Sequence, residues 1–398
     1  MINDLMYFCL CFPLNKKVDM TNITGVKYSY TNMKQLLYLF FFFGGFHLYG
    51  QAYINYSDTL ISTHSSFLKG PITYNLHLPE TFNFAAPSTK YPLIIIFDSQ
   101  HRFTYPHIIK SLDLLTSESQ MPESIIIGIP FDSQNRRYAT SRQKLKADSL
   151  TGIERTERFL FEELIPSLQK NYKANDWVML IGHSRTAFLC SYLFKTNSQT
   201  VDVAVALSGF YEEPAQLEDM QVFFSQPQNF PHPCAYYFTA GTTKEEAVYQ
   251  RQCEAISLFL EKNTLPKNLK WKYTKTANAN HMTNYWVSIP GVLLEVFSDY
   301  NSILDNWFAT KLKDKQLKKP VSEFRNDLQE RSIALNFELN PGLVHIFSLA
   351  SHYANQHDYA TAIGFIQLGK EYYPHYPEFD EYLEEFRQEL RQNNTGKE

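Results

Sequence analysis

Cysteine is scarce in this chain, with five in 398 residues. Cys9 and Cys11 fall in the N-terminal segment, which leaves Cys190, Cys234 and Cys253. An odd set without short spacings offers neither a disulfide framework nor a zinc signature, so buried thiols are expected. Basic clusters are also lacking, and a formal charge of −4 argues against nucleic acid as a partner. The apolar run at Leu36 to Phe46 is too short for a transmembrane helix, so no stable membrane span is expected in the mature chain. No cofactor motif and no metal-ligand set occurs, and neither group is expected. What is plentiful is aromatic residues, at 15%. Dense core packing accounts for them most simply.

The N-terminus reads as a leader. Met33-Lys34-Gln35 supplies a short positive region, Leu36 to Phe46 an apolar one, and Gly50-Gln51-Ala52 a small-residue cleavage site. That order predicts export to the periplasm or the medium, with Met33 as the working start and residues 1–32 as an over-extension. The lack of a cysteine after the apolar run argues against a lipid anchor. The chain is thereby divided into a leader over 1–52, a main domain over 53–300 and a C-terminal region over 301–398.

Alternation over Pro71 to Pro79 predicts a half-exposed antiparallel strand at a sheet edge. Continuous apolar runs at Tyr91 to Asp98 and Ser124 to Pro130 predict strands covered on both faces, with a crossover helix at Pro106 to Leu115 between them. Glu154 to Tyr172 carries an apolar stripe of Phe161, Leu164, Ile165, Leu168 and Tyr172, and Pro166 should kink that helix. Further strands are expected at Trp177 to Ile181, Val201 to Leu207, Ala235 to Thr239 and Leu269 to Tyr273, with a helix at Lys244 to Lys262. Strands alternating with helices imply a mostly parallel twisted sheet with helices on both faces, and chemistry at the carboxyl ends of its strands.

Beyond Asp299 the strand signals stop. Lys311 to Lys319 reads as a linker, and Pro320 starts fresh helices. Gly342 to Tyr376 reads as a helix-turn-helix resembling one tetratricopeptide unit, in a small all-α region that could serve a protein partner. A single such unit leaves Leu349, Tyr353, Phe365 and Ile366 partly uncovered, so it should pack on neighbouring helices or on the main domain.

The chemistry is concentrated where Trp177 to Ile181 runs into Gly182-His183-Ser184-Arg185-Thr186. A serine on a sharp strand-to-helix turn has its hydroxyl exposed above the sheet, over a helix N-terminus. The same residues also fit a plain turn with Ser184 as helix N-cap. A serine nucleophile needs a base and a group to orient that base. Of twelve histidines, His281 alone follows a late strand and precedes a helix. The acid comes from Ala240 to Glu246, with Glu245 preferred over Glu246 because it is closer to the strand end. Backbone N–H groups of Arg185 and of Ser99 or Gln100 would form the oxyanion hole. His183 should point away from the nucleophile and pack.

Taken together, these residues resemble the esterase branch of the α/β hydrolases that includes siderophore esterases, feruloyl esterases and S-formylglutathione hydrolase. The resemblance rests on Tyr91-Pro92 leading to Ile96-Phe97-Asp98-Ser99-Gln100, Ile127-Gly128-Ile129-Pro130, Asn135-Arg136-Arg137, Phe159-Leu160 with Glu163-Leu164-Ile165-Pro166, Gly182-His183-Ser184, and His281. It covers about Ile61 to Tyr300 and implies an exported serine esterase acting on a small carboxylic ester. Ser99 and Thr186 stand where that branch has glycine, and Tyr138 where it often has aspartate. The departures at Ser99 and Thr186 support an alternative, a weak or inactive hydrolase fold serving as a scaffold for the helical tail.

Overall fold

The computed structural model describes residues 58–131, 133–144, 148–211, 214–314 and 317–395, so the leader lies outside the described residues. Eight strands form one sheet: β1 (Thr59–Ser65), β2 (Gly70–His77), β3 (Tyr91–Phe97), β4 (Ile125–Ile129), β5 (Ala174–His183), β6 (Val203–Leu207), β7 (Cys234–Gly241) and β8 (Leu269–Thr276). Their order is β1-β2-β4-β3-β5-β6-β7-β8. From β4 to β8 every pairing is parallel, whereas β1 and β2 join antiparallel. Every residue of β3, β4 and β6 is buried, as a strand covered on both faces requires.

The sequence places an edge strand at Pro71 to Pro79, but the observed edge is β1. Thr59–Ser65 is mostly exposed and carries little apolar alternation, so period alone does not reveal it.

The connecting helices are α1 (Thr104–Ser117), α2 (Ser133–Ala139), α3 (Gly152–Arg158), α4 (Ile165–Asn171), α5 (Arg185–Thr196), α6 (Pro214–Phe224), α7 (Ala247–Lys262) and α8 (His281–Val296). α1 packs with α8, while α5, α6 and α7 form a second group. Between α3 and α4 the expected kink takes the form of a wide π turn at Phe159–Leu164. Pro166 has no N–H to give to the preceding turn, so the ladder is broken there.

Two short helices, α9 (Ser298–Asn301) and α10 (Ile303–Ala309), lead to the tail helices α11 (Pro320–Leu335), α12 (Leu343–Asn355), α13 (Tyr359–Tyr372) and α14 (Pro377–Thr395). The helical hairpin read at Gly342 to Tyr376 is α12 and α13, and α14 packs on α13. Leu349, Phe365 and Ile366 are fully buried, so the hairpin's apolar face is covered. The described residues form one compact unit, in which the tail is joined to the main domain at many points.

Those points share one end of the sheet. Phe337 packs on Trp177 at 5.2 Å, near the start of β5. Asn336 Nδ2 donates to Asp202 Oδ1 at 2.9 Å, just before β6. Asn340 Nδ2 donates to the Lys90 carbonyl at 2.7 Å, just before β3. Ala86 N–H and Thr89 Oγ1 both donate to the Tyr372 carbonyl, at 2.8 and 3.0 Å. The tail therefore braces the amino ends of the parallel strands, opposite the carboxyl ends where Ser184 lies.

Candidate active site

Ser184 follows the last residue of β5 and precedes the first of α5. Its backbone sits at φ 59°, ψ −116°, a strained conformation for any residue with a side chain. The strain comes from turning a strand into a helix within one residue. Gly182 permits the turn, since a Cβ there would stand 2.2 Å from the Thr186 carbonyl oxygen. The Ser184 side chain makes no capping hydrogen bond, so the N-cap alternative does not describe it.

Thr186, the departure from the second glycine, is absorbed into the turn. Its Oγ1 donates to Asp98 Oδ2 at 2.8 Å and accepts the His183 N–H at 2.9 Å. Asp98 is fully buried and also receives two bonds of 2.7 Å from the Arg136 guanidinium. Burial pushes the Asp98 carboxyl up, but Arg136, Gln100 and Thr186 outweigh it and hold the group below the usual range. Arg136 Nη2 donates as well to the His183 carbonyl at 3.2 Å, joining the loop after β3 to the end of β5.

That loop corrects one expectation. The Ser99 N–H donates to the Ile129 carbonyl at 3.2 Å, so it is already committed and cannot serve an oxyanion. Ser99 Oγ donates to Asn75 Oδ1 at 3.1 Å. The N–H groups of Gln100 and Arg185 donate to no other described group. The Gln100 side chain braces its own loop, with Nε2 donating to Asp98 Oδ1 at 3.0 Å and Oε1 accepting the Phe131 N–H at 2.9 Å.

His281 opens α8, just past β8. Its Nδ1 lies 2.5 Å from Glu246 Oε1. A carboxylate accepts only, so Nδ1 is the nitrogen that donates, and in the neutral ring the lone pair then sits on Nε2. The preference for Glu245 therefore gives way to Glu246. Glu245 is exposed and accepts the backbone N–H of His281 at 3.0 Å, while Glu246 is buried against the ring. Closeness to the strand end misled, because Lys244–Glu246 is a 3-10 turn that swings the last glutamate inward.

Three further groups were not read from the sequence. Ser208 Oγ and the Gly241 N–H donate to Glu246 Oε2 at 2.6 and 2.8 Å, and Asn284 Nδ2 donates to Ser208 Oγ at 2.7 Å. Burial raises the Glu246 carboxyl, but His281, Ser208 and Gly241 together hold it below its ordinary value. Ser208 lies one residue past β6, with φ 48°, and the rule of strand carboxyl ends could have flagged it.

His183 is 2% exposed, and burial lowers its ring to about 3, so it stays neutral. Its Nε2 donates to the His281 carbonyl at 2.7 Å, and its ring stacks on Tyr285 at 4.9 Å. Its packing role thus includes holding the backbone of His281. Among the described residues no cluster of three or more His, Cys, Asp or Glu side chains could hold a metal. No described helix is long and apolar enough to cross a membrane.

A mostly parallel sheet flanked by helices, with a strained serine after β5 and a histidine–carboxylate pair past β7 and β8, is the α/β-hydrolase fold. The chain belongs to the family described as Putative esterase, whose model matches residues 65–288. A search of curated proteins finds no match. Among solved structures, an uncharacterised protein from Capnocytophaga ochracea is similar at TM-score 0.60 and 15% identity, covering 84% of this chain and 90% of that one. An IroE-like serine hydrolase from Shewanella oneidensis is similar at TM-score 0.58 and 17% identity, covering 83% and 99%. The BES protein from Bacillus cereus is similar at TM-score 0.51 and 17% identity, covering 59% and 94%. The first two matches take in more than the main domain, because residues 58–300 are only about three fifths of the chain.

Proposed function

We propose that the protein is an exported serine esterase that cleaves a small carboxylic ester through an acyl-enzyme. The observation that carries this reading is the His281–Glu246 pair, joined through Nδ1 so that Nε2 is left for a substrate-side proton, at the same carboxyl end of the strands as the strained Ser184. As Ser184 Oγ attacks the ester carbonyl, His281 Nε2 takes its proton, and Glu246 steadies the imidazolium that results. The Arg185 and Gln100 N–H groups serve the developing oxyanion. Collapse of the tetrahedral intermediate breaks the ester C–O bond, and His281 returns the proton to the leaving alkoxide. Water then attacks the acyl-serine with His281 again as base, releasing the acid and restoring the serine.

The Shewanella neighbour, described as a serine hydrolase, agrees with this chemistry. Thr186 does not weaken it, since its hydroxyl is used to hold Asp98 and the elbow. Export rests on the sequence of residues 33–52 and is tested by N-terminal sequencing of the mature protein, which should begin near Gln51 to Tyr53.

The enzymatic test is a panel of aryl, acyl-thiol and siderophore esters, assayed with the wild type and Ser184→Ala. The variant should lose on the order of 10⁴-fold or more in kcat on every ester the wild type cleaves. Retention of most of the activity would mean that another group is the nucleophile.

A further inference from the structure

The His281 ring has an aromatic partner that the triad alone does not require. Tyr249, on α7, stacks on it with ring centroids 4.3 Å apart and planes 24° from parallel. On the same histidine, the His183 ring lies at 4.4 Å and 48°. Tyr249 is itself backed by Phe210, at 5.9 Å. It stands three residues after Glu246, so the helix that follows the acid also delivers the ring that covers the base.

This geometry has two consequences for a base that must pass a proton. A single bond from Nδ1 to Glu246 Oε1 leaves the imidazole free to pivot about that contact. A ring stacked on its face removes the pivot and holds Nε2 on one line. When the imidazole takes the serine proton it becomes a cation, and the face of an aromatic ring attracts a cation. Tyr249 thus interacts more favourably with the state formed during attack than with the resting enzyme, which is what accelerates a step rather than tightening substrate binding.

We infer that Tyr249 is a positioning residue for the base, holding His281 in line with Ser184 and stabilising the imidazolium through its ring rather than its hydroxyl. The inference rests on the proposed role of His281 and goes beyond it. On a small aryl ester, Tyr249→Leu should lower kcat about tenfold with KM changed less than about twofold, a cost in the range of a partly desolvated cation–π contact. Tyr249→Phe keeps the ring and should restore kcat to within about twofold of the wild type. The rate of Ser184 labelling by a fluorophosphonate should follow the same order, because labelling also needs the serine proton removed. That rate is read on folded protein, selected by size exclusion, for Tyr249→Leu and, should that variant fold poorly, for Tyr249→Met, which also lacks the ring.

A Leu variant with wild-type kcat overturns the inference. So does a Phe variant as impaired as Leu, which would assign the effect to the hydroxyl, and so does a loss confined to KM, which would make Tyr249 a substrate contact. Failure of the underlying reading is distinguishable, because then the wild type itself would not be labelled at Ser184.

Discussion

Replacing Glu246 by glutamine keeps the volume of the side chain and removes its ability to accept at both oxygens. In the native site Oε2 takes two donors, Ser208 Oγ and the Gly241 N–H, while Oε1 takes the His281 Nδ1–H. A glutamine keeps its single oxygen where two donors converge, so its NH₂ must face Nδ1. The imidazole then has to accept at Nδ1 and carry its proton on Nε2, where no lone pair remains for the Ser184 hydroxyl. Loss of the correct tautomer in such a triad costs on the order of 10⁴-fold in kcat. That is about 5 kcal/mol at roughly 1.4 kcal/mol per tenfold.

Glu245→Gln is the matched control. Its amide oxygen can still accept the His281 N–H, now at 3.0 Å, and only a charge near the start of α8 is lost. That charge is worth about 0.3–1 kcal/mol, or up to about fivefold. The assay is kcat and KM on one aryl ester for both variants, with thermal melts to confirm folding. Glu245→Gln falling further than Glu246→Gln would refute the reasoning, as would a Glu246→Gln enzyme within about tenfold of the wild type.

Arg136→Met should lower the melting temperature by several degrees, because it leaves the Asp98 charge buried and unpaired, a change that costs about 3–5 kcal/mol. Arg136→Lys should recover only part of that loss, since an ammonium cannot make the two-pronged contact, and an unchanged melting temperature in Arg136→Met would contradict the account. His77 is buried; burial lowers its ring, but Asp113 at 2.8 Å and Asp58 at 3.1 Å outweigh this and raise it to about 9. A raised histidine contributes stability that is complete below about pH 6.5 and is lost as pH rises through about 9, on the order of 3 kcal/mol. Chemical denaturation across that window should show the loss in the wild type and a flatter profile in His77→Gln. Truncation before Pro320 should yield aggregating protein, because it uncovers Trp177 and Trp307, both buried under the tail. A soluble fragment with the native melting temperature would show that the tail is dispensable.

The sheet was legible in the sequence wherever burial on both faces writes a continuous apolar run, as at Ile94 to Phe97 and Ile125 to Ile129. Thr59–Ser65 was missed because an exposed edge strand needs no such run. The places of Ser184 between β5 and α5 and of His281 at the start of α8 were legible because strand-to-helix turns and late loops have local signatures. The glutamate that meets the His281 ring was legible only to within two adjacent residues. Which one turns inward depends on a 3-10 turn whose start is tied to a distant segment, through the Thr243 N–H donating to the Ala279 carbonyl, rather than on composition. Ser208, Asn284 and Tyr249 reach the site from separate segments. A single sequence records no spacing that joins them, since the fold alone makes them neighbours. The reverse holds for Ser99, whose N–H is consumed by Ile129 through a pairing between the ends of β3 and β4.

A Ser184 hydroxyl activated by His281 should be open to covalent capture. The full chain is treated with a fluorophosphonate, its intact mass is measured, and the modified peptide is mapped. One adduct per chain is expected, on Ser184, formed quickly in the wild type and slowed by orders of magnitude in His281→Ala and Glu246→Gln. An unmodified chain, or an adduct on a different serine, would contradict it.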